Sequence, residues 1–205
     1  ANIKQAAFDA INQNFSHYSP VPGFLELRQA IAKKLKRDNN LDYKPTQICV
    51  SNGAKQSILN VLAAVVNDGD EVILPAPYWV SYDEMVKMMG GTSVFIETNI
   101  DTEFKMTAEQ LEAAITPKTK VILYSSPCNP SGSYYTKDEL EKIANVVAKY
   151  PYVTIISDEI YEYINYDGKH TSIAEFPQVY EQTAVINGMS KAFAMTGWRI
   201  GYSAC

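Results

Sequence analysis

Along this chain the apolar positions alternate between a helical repeat and short unbroken runs. An amphipathic stretch over 1–14 leads into a turn-rich loop, Tyr18-Ser19-Pro20-Val21-Pro22-Gly23. A helix is then predicted over 25–37, with Leu27, Ile31 and Leu35 on one face. Apolar runs predict strands over 47–51, 71–74, 93–97, 120–125, 153–157, 183–187 and 199–204, and helical spacing between most of them predicts helices over 54–66, 80–89, 108–115 and 137–150. Two of these helices open with capping boxes, Thr107 with Gln110 and Thr136 with Glu139. In each box the hydroxyl and the residue three places on exchange hydrogen bonds with unpaired amides of the first turn, which marks where the helix starts.

The runs Val121-Ile122-Leu123-Tyr124 and Val153-Thr154-Ile155-Ile156 lack strict polar alternation. Strands covered by helices on both faces of a largely parallel sheet read this way, so the class is α/β. In such sheets ligands sit beyond the carboxyl ends of the strands. The chain shows no internal repeat, low-complexity tract or long linker, and its 205 residues suffice for one substantial core.

Charge and cysteine content narrow the partners. A net charge of -5, with no basic block or stripe, argues against nucleic acid or an anionic membrane and favours small-molecule chemistry. Cys49, Cys128 and Cys205, with only two histidines, form neither a disulfide framework nor a metal-ligand spacing, so a reducing cytoplasm is the expected setting. The first residues lack the cationic flank and apolar run of a signal peptide, and no apolar stretch approaches membrane-spanning length; a soluble protein is expected.

Candidate chemistry lies at the predicted strand ends. Lys191 and Arg199 stand eight residues apart in an otherwise almost uncharged, small-and-apolar stretch, Ser190-Lys191-Ala192-Phe193-Ala194-Met195-Thr196-Gly197-Trp198-Arg199. Two cations in such a run call for an anionic or covalent ligand. Taken singly, Lys191 reads as a solvated lysine and Arg199 as a surface ion pair. Asp158 closes the strand before Glu159-Ile160-Tyr161, where it serves either as a carboxylate held against a cation or as a helix cap. Asn129 lies in Ser126-Pro127-Cys128-Asn129-Pro130-Ser131-Gly132, which stiffens an amide for recognition or is merely a turn. Asn52-Gly53-Ala54-Lys55-Gln56 joins a strand to a helix, giving an anion site or simple tight packing. Pro77-Tyr78-Trp79 offers an aromatic face to a planar ligand, or a core residue.

Taken in order, three of these segments resemble the class I/II (fold-type I) aminotransferase family, whose members use pyridoxal 5′-phosphate (PLP). They are Ser126 to Gly132, Asp158-Glu159-Ile160-Tyr161, and Ser190-Lys191 through Arg199-Ile200-Gly201. The whole chain looks like the large domain, and Asn52 to Gln56 with Pro77-Tyr78-Trp79 resemble the bacterial-type aspartate aminotransferase subgroup. The resemblance implies a three-layer α/β/α fold with a seven-stranded, mostly parallel sheet and one antiparallel strand, for which 199–204 is the candidate. It implies that Lys191 forms the Schiff base and moves the substrate proton, and that Asp158 pairs with the pyridinium nitrogen. Asn129 and Tyr161 are implied to bond the ring's 3′-oxygen, Trp79 to stack on the ring, and Arg199 with the amides of Gly53, Ala54 and Lys55 to hold the phosphate.

The likeness carries further expectations. Many relatives have a phosphate-binding serine three residues before the lysine; this chain has Gly188 there, and Ser190 either substitutes for it or only packs. Lys55 stands where the subgroup meets the distal carboxylate of aspartate or glutamate, so Lys55, Trp79 and Asn129 are the candidate substrate contacts; alternatively, Lys55 supports the phosphate or the surface. Tyr18 stands where a neighbouring subunit's tyrosine reaches the phosphate, implying a homodimer with shared sites, or else it packs on its own loop. The family's N-terminal segment and its small domain, with the arginine for the substrate α-carboxylate, are expected to lie outside residues 1–205. The implied reaction is transamination, with aspartate and 2-oxoglutarate preferred. A prephenate aminotransferase, a C–S lyase, an aminocyclopropane-carboxylate synthase and an inactive fragment are the alternatives.

Overall fold

The computed structural model describes residues 2–168 and 170–205. Ala1, where the opening amphipathic stretch is expected to begin, lies outside them. The elements are α1 (Asn2–Asn12), α2 (Leu25–Asn39), β1 (Ile48–Ser51), α3 (Ala54–Val65), β2 (Glu71–Ala76), α4 (Ser81–Met88), β3 (Thr92–Glu97), α5 (Ala108–Ala114), β4 (Thr119–Ser125), α6 (Lys137–Val147), β5 (Thr154–Asp158), β6 (Thr183–Gly188) and β7 (Gly201–Ala204). All seven strands form one sheet in the order β1-β7-β6-β5-β4-β2-β3. The pairings from β3 through β6 are parallel, and β7 runs antiparallel to both β6 and β1.

Alternation along the strands divides the core between two faces. Ile73, Ile122 and Ile155 point to one face and pack under α5 and α6 with Leu111, Leu140, Ile143 and Val147. Their sequence neighbours Val72, Leu74, Val121, Leu123 and Ile156 point to the other and pack under α3 and α4 with Ile58, Leu62, Tyr82 and Val86. A third cluster seats Ile31 and Leu35 of α2 on Ile48, Val185 and Tyr202. The interior strands are therefore apolar on both sides, as their unbroken runs predict, and each fully buried Leu or Ile contributes about 1.5–3 kcal/mol. No residue of α1 is buried.

Both predicted capping boxes form, at the heads of α5 and α6. The element ends differ from the sequence reading where backbone chemistry intervenes. α6 stops at Val147 rather than 150, because Pro151 disfavours helical backbone at the residue before it. α2 continues to Asn39 and closes on Asn40, whose left-handed backbone directs its N–H to the Leu35 carbonyl. β2 runs on through Pro75 to Ala76, still paired with Ile96 and Glu97 of β3. The last strand begins at Gly201, not at 199: Arg199 has a φ of 56° and ends a short 3-10 turn over Thr196–Trp198.

Candidate active site

Because β2, β4, β5 and β6 run parallel, their carboxyl ends deliver the following loops to one edge of the sheet. The β1 to α3 turn reaches the same place because β1 also points that way, with the antiparallel β7 beside it. These loops enclose a cavity of about 290 Å³ that Trp79, Asn129, Asp158, Tyr161, Lys191 and Arg199 all line. Ala54, Lys55 and Ser190 line it too. Of the sequence candidates, Gly53 lies just behind the wall and Tyr18 lines no part of it; Tyr18 is fully exposed on its loop.

Asp158 is the last residue of β5, beside Ser125 of β4, and only 4% exposed. Burial disfavours its charge and pushes its carboxyl up to about 6. Three groups pull the other way: the Tyr82 hydroxyl donating to Oδ2 at 2.7 Å, the Ile160 amide donating to Oδ1 at 3.2 Å, and the positive charge of Lys191. The amide bond closes the local turn, so the capping role and the cavity role coexist in one side chain.

The same cavity also has a basic part. Lys191 and Arg199 are exposed, and among the described residues neither lies within ion-pair distance of a carboxylate. Arg199 donates from Nη1 to the Thr196 carbonyl at 2.9 Å and from Nη2 to the Asn52 carbonyl at 3.3 Å. That pose requires Gly53, whose φ is 87° and where a Cβ would collide with the guanidinium. The head of α3 follows at once, and its first amides have no helical partner. Lys191 Nζ lies 5.6 Å from the centre of the Tyr161 ring, and Lys55 Nζ lies 4.7 Å from that of Trp79.

Gly188 has a steric reason to lack a side chain. It pairs with Gly201 of β7, and a Cβ there would lie 2.7 Å from the Ile200 carbonyl oxygen. Ser190, two residues later, does reach the cavity wall.

Tyr82, Ser125, Ile160 and Thr196 also line the cavity and are absent from the sequence-based set. Tyr82 follows Trp79 by three residues, a helical spacing that reads equally well as core. The Ser125 hydroxyl is buried close to that of Tyr82. Another unforeseen cluster brings Glu159, Glu162 and His170 together. Its acids already have protein partners: Glu159 takes hydrogen bonds from Ser157 and Ser172 and faces His170, while Glu162 pairs with Lys34 and Asn39.

Compared with known families, residues 1–205 match the model for aminotransferase class I and II. The chain belongs to that family. It is 51% identical, over 99% of its length and 51% of the relative's, to a probable aspartate/prephenate aminotransferase of Rhizobium leguminosarum bv. phaseoli. An aspartate aminotransferase of Bacillus sp. (strain YM-2) is 50% identical over 99% of this chain and 52% of its own. The crystal structure of the Rhizobium meliloti aspartate aminotransferase superposes with a TM-score of 0.97 at 43% identity, over 99% of this chain and 51% of that one. The chain spans about half the length of these relatives. Among its described residues no helix is long and apolar enough to cross a membrane.

Proposed function

We propose that this chain forms the cofactor-binding half of a PLP-dependent aminotransferase, acting first on aspartate and 2-oxoglutarate. The observation that carries the proposal is the lining of one cavity by a buried carboxylate, Asp158, together with two cations, Lys191 and Arg199, that have no acidic partner among the described residues. The residues present fit PLP. Arg199 and the amides at the head of α3 suit its phosphate, Lys191 its aldehyde, Asp158 its ring nitrogen, Trp79 its ring face, and Asn129 with Tyr161 its 3′-oxygen. The glycine cradle at Gly53, where a Cβ would collide with the Arg199 guanidinium, marks a lining shaped for polar contact.

When bound, PLP supplies the electron sink that lets an amino acid lose its Cα proton. The chain's own residues do the rest. Lys191 Nζ, at the cavity lining, would take that Cα proton. Asp158, kept charged, holds the ring nitrogen protonated. Trp79 and the buried strand ends exclude water from one side of the ring. Lys55 faces a distal carboxylate, which favours dicarboxylic substrates. Prephenate as an alternative acceptor is favoured by the names of the relatives. A homodimer in the cytoplasm belongs to the same reading; the full exposure of Tyr18, which leaves it available to a neighbouring copy, supports the pairing.

Borohydride reduction of the purified protein with PLP should add the cofactor's mass to the peptide carrying Lys191. L-aspartate without acceptor should yield one oxaloacetate per bound PLP and then stop until 2-oxoglutarate or prephenate is added. Continuous release of thiol and ammonia from a β-thio amino acid without an acceptor would indicate a C–S lyase, and no oxaloacetate at all from L-aspartate would refute the assignment.

A further inference from the structure

We propose that Tyr82 is a positioning residue for Asp158, its phenol hydroxyl fixing the carboxylate's orientation and keeping it charged opposite a ring nitrogen. The inference rests on the PLP reading above and concerns a residue that reading does not use.

Tyr82 is 1% exposed on α4, 76 positions from Asp158 in sequence, yet its hydroxyl donates to Oδ2 at 2.7 Å. The Ile160 amide occupies Oδ1. The two bonds come from different elements and leave the carboxylate little freedom to rotate. The Tyr82 ring also meets Trp79 edge-on, with centroids 5.6 Å apart, so one side chain braces both a ring-facing aromatic and the acid. Burial lifts the Tyr82 hydroxyl well above its ordinary range, so it remains a neutral donor at every working pH.

The other groups around Asp158 do not substitute for Tyr82. Glu159, next in the chain, acts against the charge of Asp158, and its own oxygens are turned to Ser157, Ser172 and His170. Lys191, across the cavity, favours the charge but is exposed and is the group expected to be consumed by the aldehyde. Ser125, from the neighbouring strand, acts on the Tyr82 hydroxyl rather than on Asp158. The Tyr82 hydroxyl is therefore the strongest hydrogen bond acting on a carboxylate that burial would otherwise neutralise.

Tyr82→Phe keeps the ring and its packing and removes only the hydroxyl. In the PLP-free protein, the side-chain carbon resonance of Asp158 should titrate about one unit higher in Y82F. The dissociation constant for PLP should rise about eightfold at pH 5.5, below the point where Asp158 takes up its proton, and by less than about twofold at pH 7.5, where the carboxylate stays mostly charged in both proteins. The 1-deaza analogue of PLP, which has CH in place of the ring nitrogen, should bind both proteins equally. Asp158→Asn serves as the control and should weaken PLP but not the analogue. If Asp158→Asn has no such effect, the PLP reading itself fails. If it does and Y82F does not, or if Y82F weakens both ligands by the same factor, the role assigned to Tyr82 is wrong. Should Y82F not fold, 3-fluorotyrosine at position 82, a stronger donor, must instead lower the Asp158 titration and tighten PLP; no change would overturn the proposal.

Discussion

The acidic and basic walls of the cavity are made from different kinds of structure. Asp158 ends an interior strand of a seven-stranded sheet, is 4% exposed, and has both oxygens bonded by the protein. Lys191 and Arg199 sit on an exposed loop after β6, and Arg199 is held by two backbone carbonyls. The negative charge is installed by folding and works against stability; the positive charges cost folding almost nothing and await a ligand. Substitutions at the two walls should therefore separate stability from function in opposite ways.

The largest effect is expected at the basic wall. Lys191→Ala should reduce transamination by on the order of 10⁴-fold or more, since in the reading proposed above the nucleophile and the proton carrier are one side chain. Its unfolding free energy should stay within about 0.5 kcal/mol of the parent, as for an exposed side chain with no ion-pair partner. Steady-state rates and urea midpoints on the same preparation check both halves. A large stability loss would mean that the loop is built around Lys191 rather than presenting it.

At the acidic wall the sign reverses. The folded carboxyl of Asp158 takes up its proton at about 6, against an ordinary value of 3.8. Between those values the folded state binds more protons than the unfolded, so stability falls as pH rises from about 4 to about 6, and the full cost persists above. A difference of about two units corresponds to about 3 kcal/mol. Asp158→Asn should therefore make the PLP-free protein more stable at pH 7.5 by about 1–3 kcal/mol, while abolishing most activity, and the gain should vanish near pH 4. Urea titrations at the two pH values test this. A variant equally stable at both pH values relative to the parent would show that the carboxylate is not strained by burial.

The contrast between the walls also explains what could be read from sequence. Lys191, Asp158 and Asn129 stand at or just beyond the ends of apolar runs and Arg199 at the start of one, in segments whose composition departs from their surroundings, and the parallel sheet gathers strand ends at one edge. Residue order therefore already implied a shared site. Tyr82 was not legible, because a tyrosine at a helical core spacing looks the same whether its hydroxyl is idle or bonded across 76 residues. The Glu159, Glu162 and His170 cluster is hidden for a different reason: its members lie within 11 residues of one another, but nothing local shows that His170 returns to Glu159. Arg199 was placed in a strand because its neighbours are apolar, and nothing local announces the left-handed backbone that turns its guanidinium toward Asn52. The missing side chain at Gly188 could be noticed in sequence, but its cause, the Ile200 carbonyl of the adjoining segment, belongs to tertiary structure.

Arg199 offers a smaller test of the basic wall. Arg199→Lys keeps the charge but not the planar fork that spans the Thr196 and Asn52 carbonyls beside Gly53. The affinity for PLP should fall about tenfold, and for Arg199→Ala about 100-fold, in line with about 1.5–3 kcal/mol for a charge-assisted hydrogen bond. Equilibrium titration of the PLP-free protein with the cofactor measures both. Equal losses in the two variants would show that fork geometry matters more than charge.

The smallest effect should come from the Lys55 side chain, because only the backbone amide of that residue is assigned to the phosphate in the reading proposed above. Its ammonium lies 4.7 Å from the centre of the Trp79 ring, a cation–π contact worth about 0.5–1 kcal/mol at an exposed position. Lys55→Ala should therefore leave folding almost unchanged and PLP affinity within about threefold. If the ammonium leaves the ring to meet a distal carboxylate, KM for aspartate should rise about tenfold while KM for an uncharged amino acid such as alanine stays constant. The ratio of the two KM changes is the diagnostic quantity. A change shared by both substrates would place Lys55 with the cofactor end of the basic wall, and a change in aspartate alone would extend that wall from phosphate binding to substrate choice.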